Sequence, residues 1–509
     1  MIRINEMGKH TWRLIAAVAL ICACGVRCTS LPQPRGRQIH KPPLTLEMVE
    51  KYLGERWYGI YFKNQKIGYA RSEIGQERYK GKPAIVVAFT FYAKMKMLGV
   101  PQEMTITEKR TYVLGEGLVS FISDTNAGGS MMKFIGQIKE GKMCVTSVVG
   151  GKQRLSTAEI PGERFEDYIA EERFVGEGAK VGDEISFSQY QPALQKTITA
   201  VSRIKEIQKK VMQGVPTETY VVETTLKEMG VTSTSLLKSD GEVLQAEVGG
   251  GFIMRLEDEK TAKNIDYRSD IILSTVITPN RPVKNPSEVM EMRARLSGVK
   301  DHSLFIQSER QRYDIQPNGD ALLVVSVEDL SDVEIPQLPL KKADFPSELE
   351  PSIFVQSDAP EIISRARAII GDERDALKAS DRIVEWVYRN LAKRFSASFS
   401  NALDVLAGGG GDCTEHSVLY VALARAAGLP AREVSGIIYS GEDDGFYYHQ
   451  WAEAFVGKWI AVDPTFGQSQ ADATHIKFAR GDLLSQAKLL NLIGALKIEI
   501  LEYSYDSNN

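Results

Sequence analysis

Gly408-Gly409-Gly410-Gly411-Asp412-Cys413-Thr414-Glu415-His416-Ser417 places a thiol just after a glycine run and at the head of an apolar helical pattern. Asp412 stands where an N-cap belongs and Glu415 follows three residues later, the spacing of a capping box. A thiol in the first turn of a helix faces the positive end of the macrodipole, so the sequence predicts a lowered pKa for Cys413. The glycines suit a turn with unusual backbone angles and leave room for a substrate backbone to approach. The pattern continues through Val418, Leu419, Val421, Ala422, Leu423 and Ala426. It stops at Gly428-Leu429-Pro430, a helix-end signal.

Further on, His449-Gln450-Trp451-Ala452-Glu453-Ala454-Phe455-Val456 and Trp459-Ile460-Ala461-Val462-Asp463-Pro464-Thr465 read as two strands around Gly457-Lys458. Thiol, imidazole and carboxylate in this order can supply a nucleophile, its base and the group that orients the base. Four ordered blocks carry a resemblance: Gly411-Asp412-Cys413, Gly428-Leu429-Pro430-Ala431-Arg432, His449-Gln450-Trp451-Ala452-Glu453, and Trp459 to Asp463-Pro464-Thr465. Together they resemble the transglutaminase-like superfamily, with Gln450 where that family usually has Ala. The resemblance covers roughly 348–501, about a third of the chain. It implies an α+β cysteine domain, related to papain-like proteases by circular order, with Cys413, His449 and Asp463 as its catalytic residues.

Register supplies an independent condition on that triad. If Val456 paired with Trp459 across a tight Gly457-Lys458 turn, His449 and Asp463 would lie on opposite faces of the sheet. The triad therefore predicts that Phe455 pairs with Trp459, through a loop Val456-Gly457-Lys458 or an equivalent bulge.

The chain has 509 residues, enough for two or three domains, and its 43% apolar and 25% charged content is that of a globular protein. A formal charge of -4 gives no basic footprint, which excludes nucleic acid as an expected partner. At the N-terminus, Arg3, Lys9 and Arg13 precede the short apolar run Leu14–Cys24, the pattern of an export signal over residues 1–23. Ile21-Cys22-Ala23-Cys24-Gly25 resembles a bacterial lipoprotein cleavage box with Cys24 as the residue to be lipidated; an ordinary secretory signal or a signal-anchor is the alternative. Residues 24–44, rich in Pro, Arg and Gln, read as a tether. Cys28, Cys144 and Cys413 are too few for a disulfide framework, and Cys144, in a strand-like stretch, is expected to be buried and inert.

Residues 45–279 read mostly as strand, hence a large antiparallel sheet or half-barrel, with a hairpin at Asn64-Gln65 and a bend at Gly249-Gly250-Gly251. Met95, Met97, Met104, Met131 and Met132 are either core filler or the lining of an adaptable groove. A Pro-rich linker at 279–286 leads to a small β connector, residues 280–347, with strands near Ser303–Tyr313 and Ala321–Val327. Residues 348–509 form the cysteine domain. It should open with a helix capped by Asp358 and a second over Asp375–Ala392, whose stripe is Leu377, Ile383, Val384, Val387 and Leu391.

No cofactor motif occurs. His416, one turn after Cys413, lacks the partner spacing of a zinc site, so no metal is expected. Glu453 reads as a buried hydrogen-bonding residue, and Trp451 and Trp459 as core or pocket wall. The expectation is an exported, lipid-anchored envelope protein that performs thiol-dependent acyl transfer on peptide or carboxamide bonds of an envelope substrate. The rival expectation is a non-catalytic lipoprotein that binds a ligand through the N-terminal β domain and uses the C-terminal domain as a recognition platform.

Overall fold

In the computed structural model the described residues are 44–506, apart from 98–99, 129, 160–161, 213–214, 250, 267–274, 300, 395–399 and 482–485. Cys24 and the segments expected as export signal and tether, up to residue 43, lie outside them. Among the described residues no helix is long and apolar enough to cross a membrane. The chain falls into two units that divide near residue 270.

The N-terminal unit is a 14-stranded sheet built from two meanders. Its first eight strands step outward from Gly54–Phe62 to Lys152–Ala158, and the last six return from Glu184–Gln191 to Phe252–Glu257. The meanders join where Gly54–Phe62 pairs antiparallel with Phe252–Glu257. Alternation of buried and exposed residues along Gly117–Ala127, Lys142–Val149 and Val231–Lys238 shows why these segments are strands: each buries one face only. Between the meanders lie two short helices, Phe165–Tyr168 and Ala170–Gly176. Phe174 and Val175 of the second pack with Ile204, Tyr220, Val222 and Leu237.

Local expectations shift here. The first hairpin turns on Lys63-Asn64, both at positive φ, and Gln65 already belongs to the next strand. Met95, Met104 and Met132 are buried core residues whereas Met131 is exposed, so these methionines do not form one groove. Cys144 is half-buried rather than sealed in the core.

The C-terminal unit contains two four-stranded sheets. One is the connector, in which Glu291–Ser297 pairs with Ala321–Ser326 on one side and with the chain's last strand, Lys497–Ser504, on the other. The sequence reading missed both Glu291–Ser297 and this return of the C-terminus, because pairing across two hundred residues leaves no local pattern. The expected strand at Ser303–Tyr313 contracts to Gln311–Ile315.

The second sheet runs Trp459–Val462, Gly445–Phe455, Ala431–Ser440, Ile476–Arg480, with every neighbour antiparallel. Against it lies the helix Cys413–Ala426, buried at every position from Cys413 to Ala424. A helix apolar all round must be enclosed on all sides. Pro360–Ile370, Ala376–Asn390 and Ala402–Gly408 enclose it, and Ile383, Val384, Val387 and Leu391 fill the shared core. Leu377 packs only at that core's margin. The N-cap of Pro360–Ile370 is Ala359 rather than Asp358, with no side-chain bond, since Pro at the first position needs no donor satisfied.

Candidate active site

The glycine run closes one helix and launches the next. Gly409 ends Ala402–Gly408 in the left-handed region at φ 61°, and Gly410–Gly411 pairs in parallel with Ala392–Lys393. A Cβ on Gly411 would stand 2.4 Å from the Glu415 side chain. The space at Gly410 and Gly411 is thus taken by the Ala392 carbonyl, Arg394 and Glu415, whereas a Cβ on Gly408 or Gly409 would meet nothing within 4 Å.

Asp412 caps the helix as the spacing predicts. Its carboxylate accepts from the Thr414 N–H at 2.9 Å, and Glu415 returns a bond to the Asp412 N–H at 3.0 Å. Cys413 follows as the first helical residue and is 1% exposed. The Gln450 backbone N–H donates to its sulfur at 3.3 Å, so the thiol lies against the strand position next to His449. One turn further, Ser417 Oγ donates to the Gln450 carbonyl at 3.1 Å, which pins helix to strand.

His449 and Asp463 come together through the odd register. Phe455 pairs with Trp459, Glu453 with Ala461 and Ala452 with Val462, around the loop Val456-Gly457-Lys458. His449 Nε2 then lies 2.6 Å from Asp463 Oδ2. The imidazole stacks on Trp451 at 6.0 Å and on Phe466 at 5.2 Å, which fixes the plane of its ring. Because Nε2 serves the carboxylate, Nδ1 is the nitrogen with a lone pair in the neutral ring.

Electrostatics reverse one expectation. Burial pushes the Cys413 thiol well above its ordinary value, and the carboxylates of Asp412 and Asp463 push the same way, against the Gln450 N–H. The sequence argument counted the helix dipole but not the N-cap carboxylate, which already takes up the dipole's positive end. Burial also lowers His449 and outweighs the pull of Asp463. Both directions favour the neutral thiol and the neutral imidazole at rest. Burial would raise Asp463 as well, but His449 and His475 hold it far below the usual carboxylate range.

The sequence reading missed His475. It is completely buried, with Nε2 3.1 Å from Asp463 Oδ2 and Nδ1 3.3 Å from Asp472 Oδ1. The only signal was Asp472 three residues before a histidine at the head of a strand, and nothing in it points to Asp463. Nitrogen and oxygen atoms of His449, Asp463 and His475 lie within 4.8 Å of one another, a spacing their hydrogen bonds account for. His416 is not of this group; its Nδ1 donates back to the Asp412 carbonyl at 2.6 Å. Glu453 is enclosed by cations: burial is overcome by Lys477, Arg432 and Arg480, which bring its carboxyl down to about 2. Trp451 belongs to the core with Val434, Ala461 and Ala471, and Trp459 carries the Arg432 guanidinium 3.8 Å from its ring centroid.

Residues 363–464 match the model of the transglutaminase-like superfamily. This segment is a transglutaminase-like domain. The match contains Cys413, His449 and Asp463 and stops short of His475. The chain is also 40% identical over 74 residues to an uncharacterized protein of Haemophilus influenzae, covering 14% of this chain and 20% of the relative. The chain thus spans about a fifth of the length of that relative. Among solved structures, a candidate cysteine protease from Cytophaga hutchinsonii is 19% identical over 43% of this chain and 92% of its own, with a TM-score of 0.31. A beta-barrel-like protein of a domain of unknown function from Brucella abortus is 10% identical over 40% of this chain and 94% of its own, also at 0.31. A candidate protease from Parabacteroides distasonis is 13% identical over 75% of this chain and 69% of its own, at 0.19.

Proposed function

We propose that the transglutaminase-like domain, an α+β papain-related fold, catalyses thiol-dependent acyl transfer on peptide or carboxamide bonds, with Cys413, His449 and Asp463 as its triad. The observation that carries this reading is the 2.6 Å bond from His449 Nε2 to Asp463, which orients the ring beside a strand residue whose N–H touches the Cys413 sulfur. In the proposed reaction His449 Nδ1 takes the thiol proton as the sulfur attacks the carbonyl carbon, and the C–N bond breaks as His449 returns that proton to the leaving amine. Water or a second amine then cleaves the thioester, giving hydrolysis or cross-linking. The Cys413 backbone N–H, at the head of its helix, is the natural donor to the developing oxyanion. Charge separation within a neutral thiol–imidazole pair is unfavourable in a dry site, so substrate binding must open or polarise it. The full burial of all three groups is the observation that favours the rival reading, a recognition platform without turnover.

The wider proposal places the protein in the bacterial envelope, anchored to the membrane through a lipid on Cys24 and acting on peptide or protein partners there. It divides the chain into β domain, connector and catalytic domain. Acyl labelling of wild type and its loss in Cys24→Ala, with the protein released from membranes, test the anchor. The catalytic reading is tested by intact-protein mass spectrometry after incubation with a peptidyl vinyl sulfone. A single adduct on Cys413, absent in Cys413→Ala, is expected. No adduct, or one on Cys144 alone, overturns it.

A further inference from the structure

The His475 ring has acceptors at both ends. Nε2 meets Asp463 Oδ2 at 3.1 Å, while Nδ1 meets Asp472 Oδ1 at 3.3 Å and the Asp472 carbonyl at 3.1 Å. A neutral imidazole carries one N–H and would turn a lone pair toward an anionic oxygen at the other end; only the doubly protonated ring donates at both. Burial opposes the charge, yet Asp472 and Asp463 raise His475 to about 9, in keeping with that geometry.

Both carboxylates are themselves held. Asp463 Oδ1 accepts the Thr465 N–H at 2.8 Å and the Phe466 N–H at 3.3 Å, while Oδ2 takes His449 and His475. These donors fill the acceptor sites of a carboxylate and forbid its rotation. Asp472 accepts from Thr474 N at 2.8 Å, Thr474 Oγ1 at 2.6 Å and Gln468 Nε2 at 2.7 Å. The connector braces the segment from behind, with Arg310 donating to the Asp472 carbonyl and Gln311 to the Lys477 carbonyl at 2.8 Å.

We propose that His475 is a positioning residue: an imidazolium clamped between Asp472 and Asp463 that fixes the Asp463 carboxylate, and through it the His449 ring, so that Nδ1 stays the proton acceptor for Cys413. The inference rests on the triad reading above but concerns a residue outside the matched segment. Without the clamp the Thr465 and Phe466 N–H groups still hold Oδ1, but Oδ2 keeps His449 alone, and the loosened oxygen lets His449 adopt the other tautomer, which has no base facing the thiol. The charge also matters. An imidazolium beside Asp463 offsets part of that carboxylate's pull on His449, adding to the burial that already favours the neutral base.

The groups that face His475 are Asp463 and Asp472 through hydrogen bonds, the His449 ring at 5.7 Å and the Trp451 ring at 5.2 Å. Arg310 lies behind Asp472, and Lys477, two residues on, is turned to Glu453. Only His475 among them bridges the two carboxylates.

The test compares His475→Gln, which can still donate to Asp463 but carries no charge, with His475→Ala, using folded, membrane-extracted full-length protein. Near pH 7, the rate of vinyl sulfone addition to Cys413 should fall roughly 10- to 100-fold in His475→Ala and less in His475→Gln, the scale on which outer hydrogen-bond partners act. The wild-type advantage should shrink above about pH 9, as wild type loses the same proton. Nitrogen chemical shifts of the histidine-labelled protein give a readout independent of the reaction. The resonance pair lost in His475→Gln should be that of an imidazolium at neutral pH. If wild type forms no Cys413 adduct, the catalytic reading fails while the spectrum still reports on the clamp. Equal rates in all three proteins across the pH range, or a neutral His475 at pH 7, would overturn the proposal.

Discussion

Two buried carboxylates, one in each unit, look alike in accessibility and differ in everything that matters for chemistry. Glu163, in the N-terminal unit, holds Arg110 through both oxygens at 2.9 and 2.8 Å and also accepts from Tyr112 Oη and, at 2.6 Å, from Tyr190 N. Arg110 continues to Glu108 and, at 2.9 Å, to the Tyr190 carbonyl. Every strong donor there is a permanent guanidinium, a phenol or a peptide. Asp463 is as deeply buried, but its side-chain partners are two imidazoles, and a thiol touches Gln450, the strand neighbour of one of them. A guanidinium does not exchange its proton near neutral pH and an imidazole does. Burial of a carboxylate therefore marks a stake in stability; the chemistry of its donors marks a stake in function.

The largest test of that contrast is neutralisation. Asp463→Asn should lower the rate of Cys413 adduct formation by on the order of 10⁴-fold, because the amide N–H can donate to Nε2 and so support the tautomer of His449 that carries its proton on Nδ1. Glu163→Gln should leave the rate per folded molecule unchanged. A fall of less than about tenfold for Asp463→Asn would erase the distinction.

Stability should show the opposite ranking. Removing Glu163 leaves Arg110 only Glu108 and the Tyr190 carbonyl and takes the acceptor from Tyr112 Oη and Tyr190 N, which should cost the N-terminal unit about 3 kcal/mol, read from denaturant unfolding. Replacing Glu108, Arg110 and Glu163 together by Leu, Met and Leu should recover part of it, since no buried charge is then left unpaired. A triple variant no more stable than the single would show that the network, not its charge, is what the sheet requires.

A smaller difference follows from pH. His475 is raised to about 9 from an ordinary 6.5, so its contribution to stability is complete below about 6.5 and is lost as pH rises through 9. Lys477, pushed down to about 8 by burial against the pull of Glu453, contributes with the opposite sign between about 8 and its ordinary 10.5, overlapping the upper end of that range. The quantity to measure is thus the difference in Tm between wild type and His475→Gln, which should narrow between pH 6.5 and 9. Glu163→Gln leaves His475 untouched and should show no such narrowing.

The smallest effect concerns the thiols. In native protein iodoacetamide should label half-buried Cys144 before Cys413, by roughly tenfold, since the reagent offers no binding energy to open the closed site. A peptide-bearing electrophile should invert the order. Cys413 reacting first with both reagents would mean that the resting site is already open and ionised.

What the sequence determined by itself were the features written within one element or two adjacent ones. The capping box at Asp412 and Glu415, the buried helix after Cys413 and the alternating strands of the N-terminal sheet are set by neighbours a few residues apart, while the pairing of Phe455 with Trp459 followed only once His449 and Asp463 were required to share a face. Spacing fixes these because a helix and a strand each present side chains with a fixed period. Tertiary structure alone decided the rest. It set the join of the two meanders, the last strand's return to the connector, and the approach of His475 to Asp463. It also decided the charge of the thiol. The sequence placed Cys413 at a helix start, but the surrounding helices and sheet removed the water, and two carboxylates came near, so the sign of the shift followed from desolvation and not from the dipole. Periodicity is local; the dielectric around a side chain is the sum of everything folded over it.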